Sequence, residues 1–191
     1  MKRYCLYLFI LIGISCSAEL KAQKNGTVYK GNDPAVRYTG RTLVSPDGSV
    51  AFDWVGTYLE TRFTGGKLSV KVSETGTSYY NVFVDGKLHK VVKVCGTDTL
   101  IHLVSGIDKR IHSLKIQKRS EGEFGKTTVH QFVLSGSGRL AEEPAVRTRH
   151  IEFIGNSLTC GYGTDGKHRD EPFLVETENC NLTFASMVAR Y

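Results

Sequence analysis

Tyr79-Tyr-Asn-Val-Phe-Val-Asp-Gly86, followed by His89-Lys-Val-Val-Lys-Val94, decides the fold. Two β-rich runs meet at Asp85-Gly86, a dipeptide that accepts the positive φ angles of a two-residue hairpin turn. The pattern repeats outward on both sides. Lys67-Leu-Ser-Val-Lys-Val72 alternates strictly, with Leu68, Val70 and Val72 expected inside and Lys67, Ser69 and Lys71 outside. Ser49-Val-Ala-Phe-Asp-Trp54 places Val50, Phe52 and Trp54 on one face, and Tyr58–Phe63 follows. Thr99–Val104, Ile111–Gln117 and Thr128–Leu134 complete the set, with turns expected at Thr64-Gly65-Gly66 and Glu74-Thr-Gly76. Many short strands with almost no helical periodicity predict an antiparallel β-sandwich, with a jelly roll as its topology.

The polar, turn-rich stretch around Ser135–Arg139 and Glu142-Glu-Pro144 marks a domain boundary. The organisation expected is a sandwich over 24–140, a linker over 141–149, and a strand–glycine loop–helix unit over 150–191 that opens an α/β domain. In that unit His150-Ile-Glu-Phe-Ile154 reads as a strand. Leu182–Tyr191 reads as a helix capped by Asn181, with Phe184, Met187, Val188 and Tyr191 on one face.

Residues 1–22 read as a signal peptide. Lys2 and Arg3 precede the apolar run Cys5–Ile14, which is too short to span a bilayer. Ala22 before Gln23 is the favoured cleavage point. Cys16 after Gly13-Ile-Ser15 resembles a lipoprotein box and offers a lipid anchor as the second exit. Export to the periplasm or the medium is therefore expected. The charge of +6, or +4 without residues 1–22, is scattered among acidic residues and excludes a nucleic-acid stripe. Cys95, Cys160 and Cys180 remain after the leader. Cys160 and Cys180 flank one loop, and either a disulfide or two buried free thiols suits them. No cysteine or histidine spacing resembles a zinc site.

The chemistry lies in Ile151-Glu-Phe-Ile-Gly-Asn-Ser-Leu-Thr-Cys-Gly-Tyr-Gly163. A serine directly after a strand sits where open α/β sheets place their sites. Gly155 permits a sharp turn, and the N–H of Ser157 is free to face a developing oxyanion. Gly-x-Ser-x-Thr is neither the Gly-x-Ser-x-Gly elbow nor a Walker loop, and alone it reads as a plain strand–turn–helix corner.

That stretch resembles the first block of the SGNH-hydrolase superfamily, and more narrowly carbohydrate esterase family two, the acetyl-xylan and related sugar O-deacetylases. Thr177-Glu178-Asn179, Thr183-Phe184-Ala185, Tyr79–Gly86 and Lys118-Arg119-Ser120-Glu121 are similar to further blocks of that family. The resemblance implies a jelly-roll domain ahead of an esterase domain, acetylated polysaccharides or oligosaccharides as partners, and no metal or organic cofactor. It implies Ser157 as nucleophile, with its own N–H in the oxyanion hole. Asn156 departs from the family's aspartate. The family's further oxyanion donors and its Asp-x-x-His base are not matched. His89, His102, His112 and His130 fall in sandwich strands, His150 at the wrong end of its strand, and His168 in the loop after the glycines. A weak serine nucleophile needs a base in reach. Residues 1–191 alone are therefore expected to be a truncated product and close to inactive. The alternative expectation is a non-catalytic carbohydrate-binding module, with Trp54, Tyr58, Tyr79 and Tyr80 as stacking candidates and Trp54 more readily a core residue.

Overall fold

The computed structural model describes residues 26–141 and 147–190. The signal peptide, the Cys16 anchor, most of the linker and Tyr191 lie outside them. β1 (Thr27–Lys30), β2 (Val36–Thr39), β3 (Leu43–Val44) and β4 (Val50–Phe52) precede two long strands, β5 (Tyr58–Val84) and β6 (Lys87–Lys118). β7 (Thr127–Ser135) and β8 (Arg139–Leu140) follow. Every pairing is antiparallel, and the strands form one curled sheet around a single apolar core.

The separate strands expected from the sequence are limbs of β5 and β6. Tyr58–Thr64 pairs with Ile111–Gln117, Leu68–Val72 with Thr99–Val104, and Thr77–Val84 with Lys87–Cys95. Turns expected at 64–66 and 74–76 are register shifts inside continuous strands. A bulge bends a strand without ending its ladder, which is why local turn chemistry overstated the breaks. Tyr80–Val84 also pairs with Leu114–Lys118, so the end of β6 lies between two limbs of β5. The expected hairpin is present, with φ of 51° at Asp85 and 77° at Gly86, both positive as a type I′ turn requires.

Alternation fixed the core well. Val50, Phe52, Leu68, Val70 and Val72 are buried, with Phe63, Phe132 and Leu134 at its centre. Ser69, expected outside, is buried and bonds His102 Nδ1 at 2.8 Å. Trp54 is no core residue. It lies beyond the end of β4 and is 58% exposed, with the Arg41 guanidinium 5.1 Å from its ring centre. Tyr80 is buried and cannot stack on a ligand.

The β-α unit expected after the linker does not form in that shape. Residues 150–154 make no strand, and Ile154 is 90% exposed. A strand needs a partner for its N–H and C=O groups, and none lies beside this segment among the described residues. α1 (Ser157–Cys160) follows it. The last helix, α2 (Phe184–Val188), is capped at Thr183 instead of Asn181, because a 3-10 turn over Cys180–Leu182 intervenes. Its small residues face inward. Cys180, Thr183 and Ala185 are buried, while Phe184, Met187 and Val188 are exposed. No helix among the described residues is long and apolar enough to cross a membrane.

Candidate functional site

Ser157 opens α1 on the surface. Asn156 caps the helix, its Oδ1 accepting from the Leu158 N–H at 3.1 Å. A carboxylate would accept the same bond, so the amide keeps the local geometry and removes a negative charge beside the serine. The Oγ and N–H of Ser157 have no hydrogen-bond partner among the described residues. Ser157 is exposed, so its hydroxyl is open to an incoming carbonyl.

The next turn ties α1 to the β domain. Gly161 ends the helix at φ 94° and accepts from the Asn179 N–H at 3.0 Å. A β-carbon at Gly161 would lie 2.6 Å from the Asn179 carbonyl carbon and oxygen. Gly161→Ala is expected to cost about 2 kcal/mol or more, through both the left-handed backbone and this overlap. Thermal unfolding checks the loss, and faster exchange of the Asn179 amide locates it.

Asn179 belongs to the strip that docks on the curled sheet. Arg119, at the end of β6, is buried and donates from Nε to the Glu178 carbonyl at 2.9 Å. Its Nη2 donates to the Glu176 carbonyl at 3.0 Å and pairs with Asp165. Asn81 Nδ2 donates to Asn179 Oδ1 at 2.9 Å, and the Cys180 thiol donates to the Lys118 carbonyl at 3.4 Å. Tyr162, from the glycine loop, stacks on Phe173 at 4.1 Å, and its hydroxyl lies 2.9 Å from both the Glu121 and the Glu123 carboxylates, with one proton to donate between them. Two of the stretches singled out by resemblance, Lys118–Glu121 and Thr177–Asn179, are the two halves of this clasp.

Glu178 is wholly buried at its centre. Its Oε2 accepts from the Glu121 N–H at 3.2 Å, and its Oε1 has no hydrogen-bond partner among the described residues. Burial, with the Glu121 carboxylate adding, pushes the Glu178 carboxyl up to about 7, against the opposing Glu121 N–H and Lys118 charge. Burial likewise pushes the Cys160 and Cys180 thiols up to about 12 and the Lys118 ammonium down to about 8. Cys160 and Cys180 are free, buried thiols, one of the two arrangements left open by the sequence. Donor atoms of Glu121, Cys160 and Glu178 lie within 4.8 Å of one another, the one cluster among the described residues with metal-ligand character.

The raised Glu178 value fixes a pH dependence. An unfolded glutamate ionises near 4.5 and the folded one near 7. Its contribution is therefore fully present below about 4.5 and lost as pH rises through about 7. The loss is on the order of 3 kcal/mol. Lys118 acts in a separate window, its contribution being lost as pH falls through about 8. Urea unfolding between pH 4.5 and 7 is expected to show a flatter stability profile for Glu178→Gln than for the parent. Equal slopes would remove Glu178 from this role.

No histidine ring bonds Ser157 among the described residues. His102 meets Ser69 and His130 meets Ser73, each at 2.8 Å. His112 is buried between Asp85 at 2.8 Å and Asp108 at 2.9 Å. His89, His150 and His168 are exposed. Sequence reasoning missed the clasp as a set of contacts. Its only local signals were Asn81 in an apolar strand and a basic pair closing β6.

The family model for the carbohydrate esterase 2 N-terminal domain matches residues 38–144. The cellulase/esterase CelE of Acetivibrio thermocellus is 33% identical over 159 residues, covering 83% of this chain and 19% of CelE. An acetylxylan esterase/glucomannan deacetylase of Cellvibrio japonicus is 29% identical over 135 residues, covering 70% of this chain and 37% of that protein. A family two carbohydrate esterase from Clostridium thermocellum, solved in complex with cellohexaose, superimposes with a TM-score of 0.77 at 33% identity, covering 81% of this chain and 47% of that one. The chain thus spans less than half the length of these relatives. By the match over residues 38–144, the chain belongs to carbohydrate esterase family two.

Proposed function

We propose that the protein is an exported carbohydrate O-acetyl esterase with Ser157 as its nucleophile. In this reading residues 24–140 form a jelly-roll support, and residues 150–191 begin the SGNH esterase domain. One observation carries it: an exposed serine with unengaged Oγ and N–H, on a short helix that the family's own sandwich holds through a buried clasp. Ser157 Oγ attacks the acetyl carbonyl carbon and gives its proton to a base. The carbonyl oxygen becomes an oxyanion facing the Ser157 N–H. The C–O bond to the sugar breaks, and the sugar oxygen leaves with a proton. Water then releases acetate from the acyl-serine. The base is a histidine outside the described residues, and no metal or organic cofactor takes part in these steps.

The test is acetate release from acetylated xylan and acetylated glucomannan. Two forms are assayed: residues 1–191 alone, and the same residues followed by the C-terminal half of the Cellvibrio japonicus relative. Residues 1–191 are expected near background, for want of a base at Ser157. The extended form is expected to release acetate. Retention on either polysaccharide with no acetate from a folded extended form would instead favour the binding-module reading.

A further inference from the structure

We propose a second carbohydrate site, lined by none of the residues that hold Ser157, that takes a sugar bearing a carboxylate. It lies on the outer face of the sheet where β5, the bend of β6 and β8 meet. Thr64 pairs with Ile111 on one side and Arg139 on the other, and their neighbours Phe63, His112 and Leu140 are buried. Alternation along each strand therefore turns Arg62, Thr64, Ile111 and Arg139 outward together. Lys109 and Arg110 close the same hollow from the bend, whose cavity volume is about 660 Å³. That volume suits a ligand of a few sugar residues.

Its charge is one-sided. Arg110 is held by Asp85 at 3.1 Å and Asp108 at 3.2 Å. Among the described residues, Arg62, Lys109 and Arg139 have no carboxylate partner and no carboxylate lines the hollow. Like charges gathered without a counter-ion repel one another, and an anion relieves that repulsion. Guanidinium forks match a carboxylate in geometry, while Ile111 offers an apolar surface to a pyranose ring and Thr64 a hydroxyl to its polar edge. Cations around an apolar floor select a hexuronate within an acidic polysaccharide over a neutral sugar. A free inorganic anion shares the charge but has no face for Ile111.

The site is tested by binding, on a Ser157→Ala background, so its fate is independent of ester cleavage. Calorimetric titration with trigalacturonate is expected to show binding that weakens as salt rises. Arg62→Gln with Arg139→Gln is expected to weaken it about tenfold or more. Both side chains are exposed and unpaired, so the fold survives their loss. The doubly lysine-substituted form is expected to keep part of the affinity, since it keeps the charge and loses the fork. Xylotriose is expected not to bind there. Trigalacturonate affinity unchanged in the double glutamine form would overturn the site. Inorganic phosphate binding as tightly as trigalacturonate would overturn its assignment to a sugar.

Discussion

Acetate release by the extended enzyme is expected to fall at least about 10³-fold when Ser157 becomes alanine. Alanine keeps the helix start, because the cap comes from Asn156 and not from the serine hydroxyl. It also keeps the backbone N–H to which we assign the oxyanion. Only the attacking oxygen is removed, so unfolding temperature and polysaccharide retention are expected to stay at parental values. The converse substitution, Asn156→Asp, preserves the cap and restores a charge next to the reacting carbonyl. Its effect is confined to rate and pH profile, which separates the role of residue 156 from that of Ser157.

Arg119→Ala is expected to cost about 3–5 kcal/mol, the loss typical of removing one partner of a buried ion pair. Three acceptors lose their donor at once: the Glu178 and Glu176 carbonyls and the Asp165 carboxylate. The Glu178 carbonyl belongs to a wholly buried residue, so losing the guanidinium leaves a buried acceptor unsatisfied. Lysine is expected to rescue little, since one ammonium cannot span acceptors that the planar fork reaches from Nε and Nη2 together. Denaturant unfolding measures the loss. Limited proteolysis is expected to cut the 160–183 strip first, because this is the strip that Arg119 holds. A variant as stable as the parent and cut at the same sites would show that the strip is held by its apolar contacts alone.

How far the sequence was legible depends on the range of the interaction. The Asp85-Gly86 hairpin was legible because its signal is contained in two residues and its strands are adjacent. The core positions of β4, β5 and β7 were legible because burial follows alternation. Gly65-Gly66 and Thr75-Gly76 misled, since the ladder on either side keeps the strand continuous through them. Trp54 misled because alternation was carried past the strand's end. Within the candidate site, Ser157 was found through a resemblance and not through periodicity. The clasp was hidden because Arg119 and its Glu178 acceptor are 59 residues apart, and a buried charge leaves no trace in hydrophobic pattern. The inward face of the last helix was misassigned for a related reason. Small residues, Thr183 and Ala185, meet the rest of the fold where larger ones were expected to.

The central claim, that Ser157 is the nucleophile of a sugar O-acetyl esterase, is tested most directly by trapping the acyl-enzyme. The extended form is mixed with p-nitrophenyl acetate, quenched in acid, digested and mapped by mass spectrometry. The account predicts an acetyl group on Ser157 of the peptide spanning Gly155–Gly163, and none on that peptide in Ser157→Ala. An acetyl group carried by another residue, with acetate release undiminished in Ser157→Ala, would contradict it.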